Sequence, residues 1–311
     1  MRIIVMLADG LQVAALGPYG NDWIATPNLN RLATQAVLFD QHFADAPHAS
    51  NPGLEPGSVE EHVFDLLPPW NPPVELLAEQ FEDWEFEEEP EPWLDPTPGF
   101  LDPTDDQALS QLQRTYSAVV RDFDAQVGEF LATVPEDALL ILTARRGQNL
   151  GEHGLIGDHR PWLHGELTHL PLIVRLPGET EAGRRVAHLT RSADVAATIR
   201  AVLGQPHDGP GKSLLPFCYG GPALRPYVAT INHGEGIAEF ALQSTREKVI
   251  LPRGDPARNP MYFIKPDDRW EVNDLRQSNL DRAEALERTL LEYVEANRQS
   301  GPLPDFPLTE E

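Results

Sequence analysis

The 311-residue sequence predicts an α/β fold: a mainly parallel sheet flanked by helices over residues 1–204, then a small antiparallel α+β lobe over 205–311. Two observations carry this expectation. Up to Gly204, short continuous apolar runs of the kind found in strands buried on both faces alternate with amphipathic stretches of helical period. Beyond Gly204, strand-like runs succeed one another across polar turns and the chain closes on a helix. At about 100–200 residues per domain the length suits one large unit with a small satellite, and 41% hydrophobic residues can fill a sizeable core.

Taken in order, Ile3 to Leu7 is a continuous apolar run that ends at Asp9-Gly10, a buried strand with a turn after it. Thr26-Pro27 opens a helix, with Thr26 as N-cap, Pro27 at the first helical position, and Leu29, Leu32 and Ala33 on one face. Val37 to Phe39 reads as a short strand. Regular pattern then fades from Ala44 to Asp106, where eleven prolines fall between Pro52 and Pro103. Gln107 to Val134 is helical, its apolar face running from Leu109 and Leu112 through Tyr116, Val120, Phe123 and Val127 to Leu131. Ala138 to Thr143 and His169 to Arg175 are further buried strands, and a helix from Asp194 to Leu203 stops at Gly204. Tyr227 to Ile231, Ala238 to Gln243, Lys248 to Leu251 and Met261 to Ile264 form the antiparallel set, with a last helix from Leu280 to Asn297. In a parallel sheet ligands bind at the carboxyl ends of strands, where Asp9 and Arg145-Arg146 stand.

Charge narrows the function classes. The formal net charge is −25, from 24 Lys and Arg against 49 Asp and Glu. Nucleic acid and anionic membrane are excluded as expected partners, because phosphate binding draws on clustered cations. The charge is local: residues 55 to 106 hold 17 acids and no Lys or Arg. This Pro-rich insert, at 52–106, is expected to be solvated loop with Trp84, Phe86 and Trp93 tucked against the domain; the other reading is a docking strip for a basic protein partner. The single cysteine, Cys218, excludes an intramolecular disulfide and a Cys-rich metal cage. With an opening apolar run too short for a signal peptide or membrane span, the sequence is expected to be cytoplasmic.

Five segments in order resemble the sulfatases, a branch of the alkaline phosphatase superfamily. They are the strand ending in Asp9 with Leu16-Gly17-Pro18-Tyr19-Gly20; Thr26-Pro27-Asn28-Leu29-Asn30-Arg31-Leu32-Ala33; Thr143 to Gly154, with Leu150-Gly151-Glu152-His153-Gly154 at its end; Leu170-Pro171-Leu172-Ile173-Val174-Arg175; and Trp270-Glu271-Val272-Asn273-Asp274-Leu275. The resemblance implies an alkaline-phosphatase-like fold, sulfuric ester hydrolysis and a Ca²⁺ cofactor. It also implies where that chemistry should sit, and there the sequence departs from the pattern. The four positions matching the family's cation ligands are Asp9, Gly10, Arg145 and Arg146, so Asp9 is the sole surviving metal ligand. Two guanidinium groups beside a divalent cation repel it by about 4 kcal/mol per unit-charge pair at 4 Å and an effective dielectric near 20. The stretch matching the family's nucleophile motif is Pro47 to Gly53, with Ala49 at the nucleophile position and Gly53 in place of an Arg.

The expectation is a pseudoenzyme: fold retained, no cofactor, and at most a residual anion pocket for a sulfate or phosphate ester, formed by Arg145, Arg146, Arg160 and His164. The alternative use of the arginines is structural, one of them pairing with Asp9 in the vacated cation position. A rival reading is an active hydrolase rebuilt around Asp9, Arg145, Arg146 and His159, with Ser50 or His159 as catalytic candidates, although Ser50 has no base at readable spacing. A third is an interaction protein acting through its acidic insert. His153 and His233 read as structural histidines, since no His-x-x-x-His or carboxylate–His spacing argues for zinc.

Overall fold

Every residue of β1 (Ile3–Asp9) is buried in the computed structural model of the protein, as an unbroken apolar run requires of a strand inside a sheet. The structure describes residues 2–46, 59–87, 89, 91–157, 162–233, 238–299 and 304–307. After β1 come α1 (Pro27–Thr34), β2 (Val37–Phe43), β3 (Glu60–Asp65), α2 (Val74–Gln80), β4 (Gly99–Phe100), α3 (Asp106–Leu131), β5 (Leu139–Thr143), β6 (Asn149–Leu150) and β7 (Leu155–Gly157). Then follow α4 (Gly165–Thr168), β8 (Leu172–Arg175), β9 (Arg185–Arg191), α5 (Ser192–Val202) and α6 (Leu215–Cys218). The chain continues through β10 (Tyr227–His233), β11 (Ala238–Ser244), β12 (Glu247–Arg253), β13 (Met261–Ile264) and α7 (Leu280–Gln299).

Among the described residues the central sheet runs β3-β1-β5-β8-β2-β9. It is mainly parallel: β1 pairs in parallel with β3 and β5, and β2 with β9, whereas β8 runs antiparallel to both its neighbours. Strand period sorts the core into two layers. Ile4, Met6 and Ala8 meet Leu112, Tyr116, Val120, Phe123 and Val127 of α3 on one face. Ile3, Val5 and Leu7 meet Val195 and Ile199 of α5 on the other, where Leu214, Phe217 and Cys218 also pack. Each fully buried Val, Leu, Ile, Met or Phe among them contributes about 1.5–3 kcal/mol by leaving water. The antiparallel sheet β10-β11-β12-β13 buries its own face against Ala283, Leu286, Leu290 and Tyr293 of α7.

Three expectations need correction. The stretch from Ala44 to Asp106 is not without regular structure: β3 is an edge strand of the central sheet, its exposure alternating along Glu60–Asp65, and α2 and β4 follow it. Acids on an edge strand mask the apolar alternation that marks a strand, while also deterring edge-to-edge pairing. Second, β9 was not expected, because Arg185, His188 and Arg191 interrupt its apolar residues. Third, Thr26 stands at the N-cap of α1 but does not cap it; its hydroxyl accepts the Gly17 N–H. The cap comes from α3, where the buried Asp124 accepts from the backbone N–H groups of Asn28 and Leu29 at 3.1 and 2.8 Å. The aromatics of the acidic stretch are tucked in: Trp93 packs on the first core layer, and Trp84 lies against Phe81 and Phe86. Among the described residues no helix is long and apolar enough to cross a membrane.

Candidate functional site

Parallel pairing of β1 with β5 sets Leu7 opposite Thr143 and so brings the two strand ends together, Asp9 on one and Arg145 just past the other. The two side chains touch. Asp9 is 5% exposed, and its Oδ1 accepts the Arg145 backbone N–H at 3.0 Å while its Oδ2 accepts Nε–H at 2.8 Å and also an Nη2–H of the same fork. The Asp9 hydrogen bond raises the guanidinium pKa further above its ordinary value. One residue thus supplies every described donor to this carboxylate, in the bidentate geometry that Arg favours.

The neighbouring position is equally committed. Gly10 has φ +82°, and a Cβ there would stand 2.9 Å from Leu67 Cδ2 and 3.0 Å from Gln148 Nε2. Its N–H donates to the Arg146 carbonyl, and its carbonyl accepts from Gln148 Nε2 at 2.7 Å and the Tyr116 hydroxyl at 2.9 Å. A hard cation wants several oxygen ligands, ideally charged. This position presents a carboxylate already bound to a guanidinium and a glycine with no room for an acid, so these residues do not fit the family's ion. Arg146 is half-buried, and Gly10 binds its backbone carbonyl. Ala49, Ser50, His159 and Arg160 lie outside the described residues.

His164 is built into a different cluster. It is 1% exposed, at the turn into α4, and its Nδ1 hydrogen-bonds Glu271 Oε2 at 2.9 Å. Glu271 is the centre of the cluster: Lys248 Nζ reaches both its oxygens at 2.9 and 3.0 Å, and Lys265 Nζ reaches Oε1 at 3.0 Å. Burial works against its charge, yet Lys248, His164 and Lys265 together hold its pKa well below the carboxylate range. His153 stacks on His164 with ring centroids 3.9 Å apart; its Nδ1 lies 2.8 Å from Glu166 Oε1 and its Nε2 3.1 Å from the Glu271 carbonyl oxygen. Burial lowers the His153 pKa, but Glu166 and the Glu271 carbonyl outweigh it and the net shift is upward. Beside it Glu152, paired with Gln12 Nε2 and the Leu150 N–H, is raised by burial and then by Glu166. Gly147 permits this arrangement, since a Cβ there would fall 1.9 Å from the Glu166 carbonyl oxygen.

A cavity of about 210 Å³ adjoins the cluster, lined by Tyr19, Asp40, His169, Lys265, Arg269 and Glu271 among others. Lys248, Lys265 and Glu166 carry no signal in the sequence, because their partners, 23, 6 and 13 positions away, follow no helical or strand period. The one legible signal was Glu271 itself, inside the Trp270–Leu275 segment.

Comparison with known proteins follows this geometry. Residues 85–205 match the family model described as Sulfatase. Over 121 residues the chain is 31% identical to the multifunctional alkaline phosphatase superfamily protein PehA of Trinickia caryophylli, covering 36% of this chain and 23% of that protein. Over 181 residues it is 31% identical to the N-acetylglucosamine-6-O-sulfatase of Bacteroides thetaiotaomicron, covering 53% of this chain and 32% of the relative. The chain therefore spans about a quarter to a third of the length of these two. In fold it is similar to BT4656, solved in complex with its substrate D-glucosamine-2-N,6-O-disulfate, with a TM-score of 0.74, 15% identity, and coverage of 96% of this chain and 97% of that one.

Proposed function

We propose that this chain, which matches the sulfatase family model over residues 85–205, keeps the fold of that family without its cation-assisted ester hydrolysis. The observation that carries this reading is the saturation of Asp9 by Arg145. A guanidinium fixed in the cation position neutralises the one remaining ligand, and it cannot deprotonate to release it. At the sequence level Ala49 supports the same reading, since a methyl group provides no nucleophile. Without an ion and an attacking group, both covalent attack and stabilisation of the developing charge lack their agents. What the strand ends can offer a sulfate or phosphate ester is binding through guanidinium N–H groups.

The named relatives act on sulfate esters in one case and belong to the wider superfamily in the other, and they favour the second reading, an active ester hydrolase with a rebuilt centre. Calorimetric titration separates the two. Ca²⁺ added to the purified full chain is expected to give no heat that depends on Asp9; a Ca²⁺ isotherm present in the native protein and lost in Asp9→Ala supports the hydrolase instead.

A further inference from the structure

Away from the strand ends, His153, His164 and Glu166 each place one ligand-capable atom within 4.8 Å of the other two. We propose that these three side chains form a binding site for a divalent metal ion of the zinc class, with His153 Nδ1, His164 Nε2 and the Glu166 carboxylate as ligands. Nothing in the spacing of the three along the chain marks them; the fold brings them together.

Glu271 sets both imidazoles for the task. Its carboxylate, held by Lys248 and Lys265, accepts the Nδ1–H of His164 at 2.9 Å, and its backbone carbonyl accepts the Nε2–H of His153 at 3.1 Å. A neutral ring that donates in this way carries its lone pair on the other nitrogen, as when an outer carboxylate or carbonyl orients a metal-bound histidine. His164 Nε2 is buried and has no hydrogen-bond partner among the described residues, which costs stability unless a ligand satisfies it. His153 Nδ1 and Glu166 Oε1 stand 2.8 Å apart, so the two ligand atoms already face one another.

Donor chemistry selects the metal. Two imidazoles and one carboxylate suit zinc-class ions, whereas Ca²⁺ and Mg²⁺ prefer all-oxygen shells. Metal–ligand bonds of about 2.0–2.2 Å require the cluster to contract by about 1 Å. Three protein ligands leave a fourth position, and a cavity of about 50 Å³ lined by Gln12, Glu152, Glu166 and Arg269 borders it. The ion would join the turn between β6 and β7, which carries His153, to the start of α4 and, through Glu271, to the antiparallel sheet.

The test uses the full chain, stripped with a chelator and titrated with Zn²⁺ in competition with a chromogenic chelator, with Co²⁺ in parallel. One Zn²⁺ per chain and the intense visible spectrum of four-coordinate Co²⁺ are expected. His164→Gln and Glu166→Gln should each weaken binding by more than about tenfold, the lower end of what loss of an outer partner already costs, while Asp9→Asn leaves it unchanged. Should His164→Gln fail to fold, Glu166→Gln decides, since Glu166 sits half-buried at the rim. No stoichiometric uptake by the native protein, or uptake indifferent to Glu166→Gln, overturns the proposal.

Discussion

Arg145 holds Asp9 with a hydrogen-bond fork, and that contact has a measurable consequence. Arg145→Ala removes the guanidinium hydrogen bonds from a 5%-exposed carboxylate, and hydrogen bonds to charged groups typically contribute about 1.5–3 kcal/mol. Urea unfolding should register a loss of that size. Gly10→Asp, which rewrites the second family ligand, is expected to destabilise further without creating a Ca²⁺ site, because φ +82° and the contacts with Leu67 and Gln148 leave no room for the side chain. Protons act on other residues. His42 is fully buried, its Nδ1 bonded to Thr190 Oγ1 and its Nε2 without a partner among the described residues, and burial lowers its pKa to about 3. The unfolded chain binds that proton near pH 6.5, so stability is lost as pH falls from there towards 3, by up to about 1.4 kcal/mol per pH unit. His153, whose pKa is raised, works with the opposite sign: it adds stability below the unfolded value that disappears as pH rises. Comparing urea midpoints of the native protein and His42→Leu between pH 6.5 and 5 isolates the His42 share; the variant should have the shallower slope. Asp9 and Arg145 were legible as a pair in the sequence because both stand at strand ends. The His153 cluster was not, since its order comes from Glu271, more than a hundred positions away.

Elements show the same division between local and distant causes. The buried runs of β1, β5 and β8 and the long apolar face of α3 announce themselves, because apolar period is a local property. The start of α1 was readable from Pro27, but its cap was not, since Asp124 reaches it from α3. Asp124→Ala should lower thermal stability by about 1–2 kcal/mol, in the range of helix-cap losses, and calorimetric unfolding would measure it. Likewise β3 hides among acids because half of its residues face solvent at the sheet edge. Its partner β1 supplies the pairing, with Val5 opposite Glu61 and Leu7 opposite Val63. The antiparallel course of β8 depends on where the chain returns after α4, which no periodicity encodes.

At the scale of the molecule, a net charge of −25 describes the surface and says little about the centre. The acids of residues 55–106 lie partly on ordered elements and find partners there, Glu60 with Arg2 and Glu79 with Arg121. The strand ends instead carry Arg145 and Arg146 against Asp9. Two sheets with separate cores meet around Glu271, which draws Lys248 of β12, Lys265 and His164 to one point. The described elements run from β1 to α7, and at the end of β1 the Asp9 carboxylate is bound by Arg145, which on the proposed reading stands where the family's ion would be. The most direct test of that account is turnover of an aryl sulfate and an aryl phosphate by the purified full chain, with and without Ca²⁺. The account predicts no release of product above the buffer rate in either condition; Ca²⁺-dependent turnover that Asp9→Ala abolishes would contradict it.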